Sequence, residues 1–463
     1  MGSFYVENFG CRATQADGAA IERQLSESGL TRAAAPTEAE VVVLNTCTVT
    51  ASADQDARAA IRRIHRTNPS ARILVTGCYA QRAPAELSAI EGVSLVIGNS
   101  HKHRLAELAG DAGFVPLGTV TMAERAEPGP APVIVEDIFA HTELMAAPVF
   151  DADNEKTRPN LKVQDGCNNR CSFCVIPYVR GRSRSLPLGE VLSNVDQLVA
   201  NGYQELVLSG INLGKWGRDL RTHILPKEGQ MWGTLDCAEF SRLRFTDLLR
   251  AILDRTAVPL MRISSLEAMD WSDELIVLMA ASPRIAKHAH VPMQSGSDRI
   301  LRRMHRRYRP WHYEDRIRRI RAAMPLAAIG ADVMVGFPGE SEADFDQTRA
   351  MIERLPFTYL HVFTYSSRPG TASSTMPEQV PVQVARERNR LLRELAARKK
   401  REFQEQLVGK ALRAITLTHQ REGRTEALSD NYQKILIEGE MSANRMVTVH
   451  VRSTDGDSLI GTL

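Results

Sequence analysis

Cysteine is scarce in this chain. Seven in 463 residues is a low density and an odd count, which excludes the evenly paired framework of a small secreted disulfide scaffold. Ligand or redox roles in a reducing compartment remain, the cytoplasm by default. No uninterrupted apolar run is long enough to cross a bilayer, and the opening MGSFYVENFG has no basic stretch followed by an apolar one, so neither a membrane span nor export is expected. A surplus of one charge is missing too. Lys and Arg total 58 against 55 Asp and Glu, a net of +3 with 24% charged residues, so any attraction to nucleic acid must come from local clusters rather than from the whole chain. With 43% hydrophobic residues the chain can bury several cores, about two to four domains for its length.

What is present begins with alternation. Over residues 1–120, β-rich runs (FYVENF, EVVVLNT, RILVTG, SLVIGN) alternate with amphipathic stretches such as AAIERQLSESG and QDARAAIRRIHRT, the pattern of an open parallel α/β domain. Cys11, Cys47 and Cys78 each stand just past the end of a strand-like run. Taken singly, each reads as an ordinary buried cysteine. Three at one structural phase, at the strand ends where open α/β sheets bind ligands, point to a shared site.

Residues 121–157, with AERAEPGPAP, read as a linker. A second βα series then fills 158–407: NLKVQDG, QELVLSG, PLMRISS, AKHAHVPM, IGADVMVGFPG and YLHVFTYS, separated by helical segments, as in all or part of a (β/α) barrel with its site at the strand C-terminal ends. Residues 218–242 break that rhythm as an irregular insertion carrying Cys237, to which no role is assigned. The stretch 384–407 is helical with a basic face. Residues 408–463 switch to short alternating runs expected to form a small all-β barrel.

Just after the first strand of the second series lies GCNNRCSFC, residues 166–174, with Cys167, Cys171 and Cys174. A structural zinc would need a fourth ligand and commonly shows paired C-x2-C motifs. Three thiolates on a short loop instead suit three irons of a 4Fe-4S cluster, leaving the fourth iron without a protein ligand.

This trio, with Phe173 before its last cysteine, resembles the signature of the radical S-adenosylmethionine (SAM) superfamily. Together with NFGCRATQAD, VLNTCTVTASAD, VTGCYAQRAP, SGINLGKWG, HVPMQSGSDRILRRMHRRY, DVMVGFPGESEADF and FTYSSRPGTAS, it resembles the methylthiotransferases over nearly the whole chain. The resemblance implies an amino-terminal cluster domain, a radical SAM domain and a carboxyl-terminal TRAM barrel for RNA. It implies two [4Fe-4S] clusters, one on Cys167, Cys171 and Cys174 that binds SAM at its open iron, and an auxiliary one on Cys11, Cys47 and Cys78 that carries or donates sulfur. One SAM would supply the methyl group and a second the radical that activates the target carbon. The expected partners are a tRNA anticodon loop, a reductant protein such as a flavodoxin or ferredoxin, and a sulfur donor. NTCTVTASAD and HVFTYSSRPGT are most similar to the branch that modifies N6-threonylcarbamoyladenosine at position 37, beside the anticodon; the branches acting on isopentenyladenosine and on a ribosomal-protein aspartate are the alternatives. One departure is Thr14, where the family commonly has asparagine.

Following strand ends, SAM is expected against Phe173, Ser209, Gly210, Asn212, Glu267, Gln294, Ser295 and Gly336, although Gly, Ser and Asn also serve turns and caps. The run RILRRMHRRYRPWHYEDRIRRIR sets Arg302, Arg303, Arg306, Arg307 and Arg309 beside aromatics, with no acid between Arg299 and Arg309. That suits phosphate contacts and base stacking, against the plainer alternative of a solvated helix face. In the terminal β domain Arg421, Arg424, Tyr432 and Lys434 are the expected RNA contacts. A protein of another class, a non-catalytic iron-sulfur RNA-binding module, would use the same clusters for structure alone.

Overall fold

A computed structural model describes residues 2–110, 129–140, 144, 157–220 and 243–463. The amino-terminal sheet is wholly parallel, in the order Thr31–Arg32, Ser3–Asn8, Val41–Thr46, Arg72–Gly77, Val93–Ile97, Val133–Ile134. Its central strand VVVLNT is buried at every position, because helices cover both faces, one core forming under Ala51–Thr67 and another under Arg12–Glu27. Thr50 caps Ala51–Thr67 by accepting from the Ala53 N–H at 3.2 Å. The edge strand Val133–Ile134 falls within the segment expected to be linker. Two β-branched residues are too short a run to register as a strand, and hydrogen bonds from the Val96 and Gly98 N–H groups to Pro132 O and Ile134 O make it one.

The second domain curls parallel strands into an open barrel. One sheet runs Leu260–Ile263, Glu205–Gly210, Asn160–Asp165 with the short antiparallel Arg184–Ser185; the other runs His288–His290, Ala328–Val335, Tyr359–Thr364. A parallel bridge between Met261 and Ile285 joins them. One large core fills the space between strands and surrounding helices. Part of the expected insertion, residues 221–242 with Cys237, lies outside the described residues.

The helix Val382–Glu405 leaves the barrel along Tyr359–Thr364 and delivers Phe403 and Leu407 into the core of the last domain. That domain is a closed five-stranded barrel, Ala411–Arg421, Arg424–Ser429, Lys434–Glu438, Ser458–Thr462, Met446–Asp455. Closure leaves it no free edges. Among the described residues no helix is long and apolar enough to cross a membrane.

Candidate functional site: two cysteine trios and the pocket at one of them

Ser3–Asn8, Val41–Thr46 and Arg72–Gly77 are adjacent parallel strands, so Cys11, Cys47 and Cys78 emerge from neighbouring carboxyl ends on one edge. Gly10 makes the approach possible: at φ +104°, a Cβ there would fall 2.8 Å from Cys47 Sγ. Burial, reinforced by the charge of Cys78, pushes the Cys47 thiol up to about 12. The Asn99 side-chain amide lies 3.7 Å from Cys78 Sγ.

The second trio follows Asn160–Asp165. Gly166 turns the chain at φ +69°, where a Cβ would meet Arg182 O at 2.0 Å, and the Cys167 N–H donates to Gly181 O at 3.1 Å. Ser172 holds the far side of the loop: its N–H donates to Met304 O at 3.1 Å and its hydroxyl to Arg303 O at 2.8 Å. Donors converge on the sulfurs. The Asn169 N–H and Asn212 Nδ2 reach Cys167 Sγ at 3.4 and 3.5 Å, and Arg306 Nη1 reaches Cys171 Sγ at 3.3 Å. Arg306 also pairs with Glu267 at 3.0 Å, and Glu267 accepts from Asn169 Nδ2 at 3.0 Å. Burial pushes the Cys174 thiol up to about 12, with the neighbouring Cys171 adding to it. Burial disfavours the thiolate forms of Cys167 and Cys174, whereas metal coordination would strip their protons.

None of the six described cysteines forms a disulfide. Two sulfurs on one zinc, each at about 2.3 Å, lie no more than about 4.6 Å apart. Among the described residues the one group of three ligands lying within 4.8 Å of one another is His290, Asp332 and His361. Neither cysteine trio closes that far. The N–H donors directed at their sulfurs are of the kind that tune iron-sulfur centres.

A cavity of about 190 Å³ opens over the second trio, lined by its three cysteines together with Asn169, Phe173, Ile211, Asn212, Ser265, Glu267, Pro292, Gln294 and Arg306 among others. Of the residues expected at SAM, Phe173, Asn212, Glu267 and Gln294 line it. Ser209, Gly210, Ser295 and Gly336 do not. Ser209 is buried within its strand, Gly210 packs on Gln164, Ser295 is bonded to Thr348 at 3.3 Å, and Gly336 at φ +74° lets Ala385 close on the turn. That turn acts one step removed, since its Phe337 meets Phe173 edge to face at 6.4 Å. Gln294 is held at φ 62° by Asp332 O and by the Met334 N–H, a conformation that costs a side chain about 1 kcal/mol or more.

The arginine run is dispersed. Arg306, expected at RNA, is 8% exposed and belongs to the cavity, its guanidinium over the Tyr308 ring at 5.0 Å. Acids neutralise its neighbours: Arg302 and Arg309 pair with Asp298, just ahead of the run, and Arg303 with the distant Glu378. Arg307 is exposed with no ion pair among the described residues. In the terminal barrel Arg421 is exposed and Lys434 pairs with Glu426 at 2.9 Å, while Arg424 is half-buried. Tyr432 turns inward and stacks on His288 at 4.4 Å.

The two trios share a wall. Ile176–Arg180 begins two residues after Cys174 and packs Val175 and Val179 against Cys78 in one buried cluster. Asn99 fixes the contact by donating to Val179 O at 2.7 Å.

An open parallel barrel with a C-x3-C-x2-C loop after its first strand and a cavity over that loop defines a radical SAM enzyme. Residues 161–352 match the radical SAM superfamily and residues 3–98 an uncharacterized family, UPF0004. The threonylcarbamoyladenosine tRNA methylthiotransferase MtaB of Aquifex aeolicus is 36% identical over 96% of this chain and 98% of its own. Its Bacillus subtilis counterpart is 35% identical over 95% and 91%. The tRNA-2-methylthio-N(6)-dimethylallyladenosine synthase of Mycobacterium ulcerans is 32% identical over 98% and 79%. In fold, the radical SAM methyltransferase TsrM of Kitasatospora setae superposes with a TM-score of 0.57 at 16% identity, covering 92% of this chain and 80% of that one. The chain belongs to the radical SAM methylthiotransferases. Membership implies SAM and a [4Fe-4S] cluster as cofactors and a tRNA substrate.

Proposed function

We propose that the protein converts N6-threonylcarbamoyladenosine at position 37 of tRNA to its 2-methylthio derivative, with one [4Fe-4S] cluster on Cys167, Cys171 and Cys174 and a second on Cys11, Cys47 and Cys78. The carrying observation is the shared wall, Cys78 packed on the segment that follows Cys174, which sets the two cysteine trios side by side and supports this division of labour. When bound, the cluster on the second trio and SAM supply a carbon-centred radical. The protein's part is positional and electrostatic. Asn169, Asn212 and Arg306 direct N–H groups at the sulfurs, Glu267 anchors Arg306, and Phe173 closes the apolar side of the cavity. SAM is read as lying in that cavity against Asn212, Glu267 and Gln294.

Arg307, Arg421 and Arg424 are the residues read as touching the anticodon arm, and the closed terminal barrel is read as a TRAM domain. Electrons come from a flavodoxin- or ferredoxin-like reductant and sulfur from a separate donor, in the cytoplasm. The test is anaerobic reconstitution with SAM, reductant and two tRNA substrates, one carrying threonylcarbamoyladenosine and one isopentenyladenosine, followed by nucleoside mass spectrometry. Methylthiolation of the first is expected. Modification of only the second, or RNA binding with SAM left intact, refutes this assignment.

A further inference from the structure

A second cavity of about 200 Å³ adjoins the first, with Ser265 lining both. All three domains build it: Arg12 comes from the amino-terminal sheet domain, Tyr432 from the terminal barrel, and His288, His290, Asp332 and His361 from the inward face of the open barrel. Its polar groups are incompletely satisfied. Arg12 has its main chain fixed by Asn160 Nδ2 donating to its carbonyl at 2.8 Å, but its guanidinium has no ion pair among the described residues. His288 Nδ1 is buried without a hydrogen-bond partner, and its residue is only 6% exposed. Asp332 lies 3.3 Å from both His290 Nε2 and His361 Nδ1. Buried polar atoms left open in a cavity call for a polar occupant.

His290, Asp332 and His361 have the donor types of a divalent metal site, but the charge around them opposes a dication. Arg12 and Arg262 both line the cavity, and Asp332 is the only carboxylate among its lining residues. Arg262 is neutralised by Glu205 at 2.7 Å; Arg12 has no ion pair among the described residues. A group negative at one end and hydrogen-bonding along its length matches better. An N6-threonylcarbamoyl group has that chemistry, with a carboxylate, a hydroxyl and a ureido linkage, whereas a dimethylallyl group has none of it.

We propose that this second cavity receives the carboxylate-bearing N6 substituent of the target nucleoside, Arg12 pairing with its carboxylate while Asp332 and the histidines take its hydroxyl and ureido groups. The adenine ring then lies toward the cavity over the second trio. The assignment rests on the substrate proposed above, and it makes Arg12 a specificity-determining residue.

The test uses the cluster-reconstituted protein and anticodon stem-loops carrying threonylcarbamoyladenosine, its carboxyl methyl ester, or isopentenyladenosine. Loss of a charge-assisted pair costs about tenfold or more in affinity. Arg12→Gln is expected to weaken binding of the free-acid stem-loop by about that factor while leaving the ester unchanged, and Arg12→Lys is expected to restore most of the loss. Cluster absorbance of each variant shows that the neighbouring Cys11 still ligates. Equal binding of acid and ester by the unaltered protein, an equal loss for both in Arg12→Gln, or one equivalent of manganese or zinc lost on His361→Ala overturns the subsite. If the threonylcarbamoyl tRNA is methylthiolated in that case, only the subsite fails; if isopentenyl tRNA alone is modified, the functional assignment fails with it.

Discussion

Asp17, on the first helix of the sheet domain, accepts from Arg180 Nη2 of the barrel domain at 2.9 Å, and both side chains are 2% exposed. Arg180 also grips Asp165, at the end of the strand that leads into the second trio, at 3.0 Å. Lys102 reaches Asp17 at 3.0 Å, and Lys162 bonds both carboxylates. Three cations thus face two carboxylates in a buried network across the domain boundary. Cys78 and Cys11 lie close enough to Arg180 that negative charge on them would favour its charged form. An anionic cluster on that trio would complete the balance.

Asp17→Asn should therefore destabilise the protein by about 3–5 kcal/mol, because it leaves buried cations uncompensated. Denaturant unfolding of the apoprotein checks this. A change below about 1 kcal/mol would show that the network contributes little to joining the domains.

The same network sets an acid limit. Burial alone would raise Asp17, but Lys102, Lys162 and Arg180 outweigh it and hold the carboxyl well below its ordinary 3.8; Asp165 is lowered likewise, chiefly by Arg180 and Lys162. A carboxyl depressed in the folded state contributes stability that is present in full above the unfolded value and lost as pH falls through the folded one. Apoprotein stability should show no loss from this network between pH 7 and about 4.5 and fall below about 3.8, with a shallower fall in Asp17→Asn. Unfolding followed by circular dichroism across that range is the check, and identical acid profiles would contradict it.

Arg306 should tune the cluster on the second trio. Its N–H to Cys171 Sγ and its positive charge stabilise added electron density. Arg306→Gln should make the reduction potential more negative, with Arg306→Lys intermediate, in an EPR-monitored redox titration. An unchanged potential would reduce Arg306 to packing.

Gly10→Ala should empty one site and spare the other. Its Cβ would strike Cys47, so iron should fall from about eight to about four per chain, as expected when one of two four-iron clusters is lost. The retained iron should vanish on adding Cys174→Ala. Full iron content in Gly10→Ala would show that the amino-terminal trio tolerates a wider spacing.

The cysteine positions were legible because short βα units punctuate the sequence and each strand end is visible: Cys11, Cys47 and Cys78 follow their strands as the pattern implies. Arg306 was misplaced for a reason the sequence cannot display. Its partners Cys171 and Glu267 lie far away along the chain, so a run without internal acids looks free when it is not. The second cavity was invisible for the same cause, since Arg12, His288, Asp332 and His361 lie on separate elements far apart along the chain and come together, with Tyr432, only when three domains close on them. Thr14, which departs from the family, is buried with its hydroxyl 3.7 Å from Cys11 Sγ, beside the site its neighbours form.

Nucleoside mass spectrometry after anaerobic turnover of threonylcarbamoyl tRNA compares the intact protein with Cys78→Ala and Cys174→Ala most directly. The 2-methylthio product should appear with the intact protein and with neither variant. Undiminished product from Cys78→Ala would contradict a role for the paired trios.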